Sequence, residues 1–247
     1  GEHADLYRNH WIYKSLGRGD VFETPDEPDR DWVAELTDKL KGQIENFIPR
    51  NYEIVKRLFP DFDVVADHYT VMLAVGFPDP YDAMVLEHDE KMYMVFDLIQ
   101  FGKGALKEDY SCHRVLTHEL IHICLHNQYP KPASLSYQDE LSYIAFDEGF
   151  AHALSYPERI DDFTFSEFLQ DKFERSAAEL KAAFAETNAE RQKEYIISAD
   201  TGRYWGKFAA ISGKLYLLKN LDGIESIYQS GWRNFADLII RECANKD

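Results

Sequence analysis

The 247-residue chain carries 44 acidic against 27 basic side chains, a net charge of −17. A surface that acidic argues against nucleic acid and anionic membranes as partners. Hydrophobic residues make up 45% of the chain, enough for a sizeable core, and no run approaches the roughly 18 consecutive apolar residues of a membrane span.

Residues 1–29 read as an irregular arm. It contains Gly17, Gly19, Pro25 and Pro28, while Trp11, Ile12, Tyr13 and Leu16 can pin it to the body. A helix over 32–47 follows, capped by Asp29 or Asp31. Its apolar positions Val33, Leu36, Leu40, Ile44 and Phe47 or Ile48 fall at helical spacing, and Pro49 stops it. A short helix over 52–58 ends before Pro60. Strands are expected over 69–77, 83–87 and 92–99; Pro78-Asp79-Pro80 bounds the first as a turn. The last two have the spacing of a hairpin with a four- or five-residue loop around 88–91.

After a helix over the segment 114–126, the chain reads as helical to its end. Pro130 and Pro132 interrupt it, and helices follow over 137–155, 166–193, 204–220, 222–229 and 232–243. The start at Ser166 is soft, because Leu169 stands where a capping box has Glu. The class is α+β: a small mixed sheet, a central helix and a helical C-terminal lobe. Three parts are expected: an arm over 1–29, a sheet-bearing subdomain over 30–128 and a helical subdomain over 129–247.

The segment 114–126 holds His118-Glu119-Leu120-Ile121-His122. Residues four apart on a helix face the same way, so both imidazoles can reach one tetrahedral zinc. Glu119, about 100° round the helix from His118, can hold a water without binding the metal. His-Glu-x-x-His is the zinc metallopeptidase signature. The competing reading is a core helix that happens to carry two histidines, although histidine is rarely buried without a partner. Cys124 reads as a small core residue.

A catalytic zinc site needs a third protein ligand and leaves the fourth position to water. On the downstream helix, Leu141, Ile144, Ala145, Glu148 and His152 share one face. A carboxylate on that apolar stripe needs a cation, either a metal or a buried arginine. Gly149 beside it lets two helices approach closely. Glu140 is the rival, but a helix N-terminus favours an acid there anyway. His126 lies about 6 Å further along the helix than His122, too far to share a metal with both other ligands. His152 suits a supporting hydrogen bond or plain packing.

The pair of motifs His118-Glu119-x-x-His122 and Asp147-Glu148-Gly149-Phe150-Ala151 resembles the gluzincin zinc metallopeptidases, and is similar to uncharacterised bacterial zinc-dependent proteases with a downstream Glu-Gly-x-Ala element. The later segment from Gly202 to Ala210, with Asn234-Phe235, resembles their C-terminal helical part. The resemblance implies a zincin-like fold, Zn2+ as cofactor on His118, His122 and Glu148, Glu119 as general base, and a peptide or protein substrate laid along the edge strand 83–87. Tyr204, beside Trp205 and between Gly202 and Gly206, is the candidate oxyanion donor, with His152 as the alternative; an aromatic pair packed at a helix start is the competing role for Tyr204. One departure stands out: thermolysin-like enzymes place an Asp four residues after the ligand Glu, where this chain has His152.

Three cysteines, Cys112, Cys124 and Cys243, cannot all pair and lack zinc-ribbon spacing, which favours a reducing compartment. A first residue Gly1 in place of Met favours removal of a leader, and the balance leans weakly to an exported bacterial protein, periplasmic or on the cell surface. Two other functions stay open: a catalytically inactive zincin-fold binding module, and a metallohydrolase of a non-peptide amide or ester. No Gly-x-Ser-x-Gly elbow supports a serine hydrolase.

Overall fold

A computed structural model describes residues 10–14, 29–77, 83–105, 112–156, 159–160 and 163–244. The expectations for Leu16, Gly17, Gly19, Pro25, Pro28 and the turn at Pro78, Asp79 and Pro80 lie outside these residues. The chain runs α1 (Trp11–Lys14), α2 (Asp29–Glu45), α3 (Tyr52–Leu58), α4 (Phe62–Asp67), β1 (Tyr69–Ala74), β2 (Ala83–His88) and β3 (Lys91–Asp97). It continues through α5 (Leu98–Ala105), α6 (Cys112–Gln128), α7 (Tyr137–Leu154), α8 (Glu167–Phe184) and α9 (Ala189–Asp200). A 3-10 turn at Tyr204–Gly206 leads into α10 (Phe208–Lys219), and another at Leu221–Gly223 into α11 (Ile224–Ser230) and α12 (Phe235–Ala244). The class is α+β, as the sequence predicts. The backbone divides into two compact units, Gly1–Ile48 with Asp63–Glu119 and Pro49–Phe62 with Leu120–Asp247, and α6 runs unbroken across the division.

In the first unit the sheet has the order β1-β3-β2, with β1 parallel and β2 antiparallel to β3. On the central strand Met94, Val95 and Phe96 are buried: Val95 packs with Ile12, Tyr13 and Phe77, and the Phe96 ring meets Phe101 edge-on at 5.5 Å. The 83–87 segment is an edge strand, as expected, extended by one residue. The hairpin loop is shorter than predicted. His88 still pairs with Lys91, leaving only Asp89 and Glu90 to turn the chain, with φ of 48° and 60°. That is the left-handed pair a two-residue hairpin needs. Asn-Gly or Asp-Gly would have announced it; Asp-Glu does not. The arm is pinned as expected: Ile12 and Tyr13 pack with Phe77 and Val95, and the Tyr13 hydroxyl donates to the Val75 carbonyl at 2.6 Å.

The third strand ends two residues earlier than predicted, at Asp97, and the helix α5 follows it. Asp97 is fully buried and accepts hydrogen bonds from the backbone N–H groups of Ile99 (3.0 Å), Gln100 (2.9 Å) and Phe77 (2.8 Å). It therefore caps α5 while tethering the segment that leaves β1. Burial pushes its carboxyl above the usual range, against the lowering effect of those N–H groups.

The second unit is organised around α7 and α10. A Cβ on Gly149 would lie 2.9 Å from the Gly213 carbonyl carbon, and one on Gly213 would lie 2.0 Å from the Ala145 carbonyl oxygen. The two backbones therefore touch, which only paired glycines permit. Around this crossing Phe146, Phe150, Tyr216 and Phe235 form edge-on and tilted ring contacts at 4.8–5.6 Å centroid separation. Asn51, on the short N-terminal segment of this unit, donates to the Leu154 carbonyl at 3.1 Å and accepts from Ile160 N–H at 3.0 Å, securing the end of α7. Ser166 accepts from the Leu169 N–H without the Glu of a capping box. The helix predicted over 166–193 is two helices, because the Asn188 side chain accepts from the N–H groups of Glu190 and Arg191 and starts α9 afresh.

Gly213→Ala should destabilise the protein by about 3 kcal/mol, at the upper end of the overpacking range. The urea midpoint measures this.

Candidate metal centre

Helix α6 buries Leu116, Leu120, Ile121, Ile123, Cys124 and Leu125. Its other face presents the half-buried His118, Glu119 and His122 and the exposed His126. Cys112 and Cys124 are buried free thiols that desolvation pushes up to about 12, Cys124 helped by Asp61; they are core residues, not ligands. Helix α7 starts at Ser136, whose hydroxyl accepts from Asp139 N–H. It buries Leu141, Ile144 and Ala145, and on the same face carries Glu148, its side chain about one-fifth exposed.

The three residues named from the sequence meet. One donor atom each from His118, His122 and Glu148 lies within 4.8 Å of the others. His122 Nε2 is 3.5 Å from Glu148 Oε1. Zinc bonds of 2.0–2.2 Å at tetrahedral angles set neighbouring donors about 3.4 Å apart, so this pair already stands at ligand spacing. Glu119, next to His118, is outside the donor group among the described residues. The rival acid Glu140 pairs with Lys131 at 3.1 Å.

Asp147 was missed in the sequence. Its Oδ2 lies 3.1 Å from His122 Nδ1 and 3.1 Å from His126 Nε2. A carboxylate beside Nδ1 favours the tautomer with its hydrogen on that nitrogen and leaves Nε2, the nitrogen facing Glu148, with a lone pair to give. The acid nearest the His122 ring thus directly precedes Glu148, where thermolysin-like enzymes place theirs four residues after the ligand. The signal was available: His122 and His126, one turn apart, can share an acceptor, and an acid next to the proposed ligand was in reach. Burial alone would raise the Asp147 carboxyl, but the charges and hydrogen bonds of His122 and His126 outweigh it and hold it at about 2. Glu148 goes the other way. Burial, aided by the negative charges of Asp147 and Asp200, pushes it up to about 7 against the opposing effect of His122 and Lys207. A buried acid in that state is a site short of positive charge, and a divalent ion fits it.

His152 is buried, with Nε2 3.5 Å from Glu148 Oε2. Its ring meets Tyr204 edge-on at 5.6 Å. The phenol oxygen of Tyr204 accepts from Lys214 Nζ at 2.6 Å. Tyr204 and His152 are therefore side by side on the Glu148 flank. The sequence reading missed Lys214, buried on α10, and Asp200, at the end of α9; neither stands in a motif. No family model matches the chain, and no curated protein or solved structure matches it.

The pH dependence of the metal-free protein follows from these two acids. Between pH 4.5 and about 7 the folded chain keeps a proton on Glu148 that the unfolded chain has lost, so stability falls as pH rises through that window. Asp147 acts oppositely: its contribution is present above pH 3.8 and is lost as pH falls towards about 2. Urea midpoints measured in chelator should decline from pH 4.5 to 7, and Glu148→Gln should flatten that decline.

Proposed function

We propose that this chain is a zinc-dependent peptidase of zincin-like fold, related to the gluzincins, that hydrolyses peptide bonds. The observation that carries the reading is the donor group of His118, His122 and Glu148, gathered from two helices within 4.8 Å, with Glu119 beside the first ligand. Two imidazoles and one carboxylate form the donor set of a catalytic, not a structural, zinc. The surrounding chemistry fits: Glu148 is buried in need of a cation, and Asp147 presents His122 through Nε2.

When bound, zinc supplies a Lewis acid that acidifies water and polarises a carbonyl. The chain does the rest. Glu119 accepts the proton of the attacking water and passes it to the leaving amine, the role of a carboxylate that does not bind metal. Asp147 keeps the His122 ring from turning. His152 and Tyr204 line the Glu148 side, where a donor to the developing oxyanion belongs. The acidic surface leaves nucleic acid an unfavourable partner, and among the described residues no helix is long and apolar enough to cross a membrane.

Metal analysis should give one zinc per chain, and Glu148→Gln should lower zinc affinity by about 100-fold or more, as loss of a direct ligand exceeds the 10–100-fold cost of losing a supporting one. Glu119→Gln should keep the zinc and lose about 1000-fold or more of the hydrolysis of a quenched fluorescent peptide library, from general-base effects of 10²–10⁴. A chain that binds zinc but cleaves no member of the library would be a binding module; cleavage of small amides or esters alone would shift the substrate class. Asp147→Asn should weaken zinc binding by about 10–100-fold, read by competition with a fluorescent chelator.

A further inference from the structure

Lys214 is among the few charged residues buried in this protein, with 3% of its surface exposed. It directly follows Gly213 on α10, and its backbone nitrogen lies 3.2 Å from where a Cβ on Gly149 would be. The helix crossing therefore plants this lysine one residue from the turn that carries Glu148. Its ammonium lies 4.3 Å from the centre of the Tyr156 ring and 5.2 Å from that of Tyr204, and donates to the Tyr204 hydroxyl oxygen at 2.6 Å. From there the contacts lead back to the centre: Tyr204 against His152 at 5.6 Å, and His152 Nε2 at 3.5 Å from Glu148 Oε2.

An ammonium has three donors and no acceptor. Towards Lys214 the phenol can act only as an acceptor, so its own hydrogen must be given in another direction. Withdrawal of electron density from that oxygen by an adjacent cation strengthens the remaining O–H as a donor, more so in a site shielded from water. We infer that Lys214 is a positioning residue for Tyr204: it turns the phenol into a charge-assisted hydrogen-bond donor on the Glu148 flank of the donor group, available to the oxygen that becomes negative when a carbonyl carbon is attacked and turns tetrahedral. No proton is transferred and no bond is made or broken by Lys214. The inference rests on the metallopeptidase reading above, and it separates Tyr204 from a merely packed aromatic.

The test uses two probes on the zinc-loaded full chain, read by calorimetry. One is a dipeptide phosphonamidate, whose anionic oxygens on tetrahedral phosphorus stand in for the attacked carbonyl; the other is a small alkyl thiol, which binds metal but has no such oxygen. Tyr204→Phe and Lys214→Met should each weaken the phosphonamidate by about 10–100-fold, the range for a hydrogen bond to a charged group. Thiol and zinc affinity should stay within about threefold. The double variant should lose no more than Tyr204→Phe alone, and Lys214→Arg should recover most of the binding. Phosphonamidate affinity unchanged in Lys214→Met, losses that multiply in the double variant, or equal losses for the thiol would overturn the inference. Should Lys214→Met not fold, undiminished phosphonamidate binding by Tyr204→Phe overturns it as well. Failure of the wild-type chain to take up zinc would instead sink the metal reading itself, a distinguishable outcome.

Discussion

The contact between Gly149 and Gly213 sets the terms for the second unit. Two helices packed backbone to backbone have little room to slide or rotate, so the crossing constrains the residues next to it. On α7 the neighbour is Glu148, and on α10 it is Lys214. One carries the carboxylate of the candidate metal centre; the other carries the ammonium that donates to Tyr204. The surrounding aromatic cluster of Phe146, Phe150, Tyr216 and Phe235 adds burial to the same crossing, so packing and placement are achieved by the same residues.

The charge arrangement follows from that placement. Three carboxylates, Glu148, Asp147 and Asp200, are influenced by the positive charges of His122, His126, Lys207 and Lys131. Two histidines lie 3.1 Å from one oxygen of Asp147 and hold its carboxyl low, at about 2, against burial. At Glu148 burial prevails and holds the carboxyl high. Neighbouring residues of one helix thus sit in opposite electrostatic states. That division of labour, one acid to orient and one acid to bind, is how a metal site is assembled from few side chains.

Much of this could be read from the residues. The spacing of His118 and His122 and the position of Glu148 on an apolar stripe are properties of a helix, and a helix repeats so regularly that three- and four-residue spacings translate directly into geometry. The same regularity located α3 to the residue and the hairpin to its strands. What escaped depends on contacts between distant segments. Asp97 is buried where it caps α5 because its other oxygen also accepts from Phe77, twenty positions earlier. Asp147 matters because His126 and His122 lie across from it. Lys214 reads as an ordinary basic residue until α10 is packed against α7. The break at Asn188 was local and could have been read, but the charged helical composition on both sides concealed it.

The hairpin has a consequence for the protein in concentrated solution. Among the described residues its strand β2 is an edge strand of the sheet, the kind of border along which a second copy can add. Glu87, Asp89 and Glu90 cluster at one end of that border, in a molecule of charge −17. Two such borders approaching in matching directions bring these acids together, so the acidic turn works against in-register addition of a second copy.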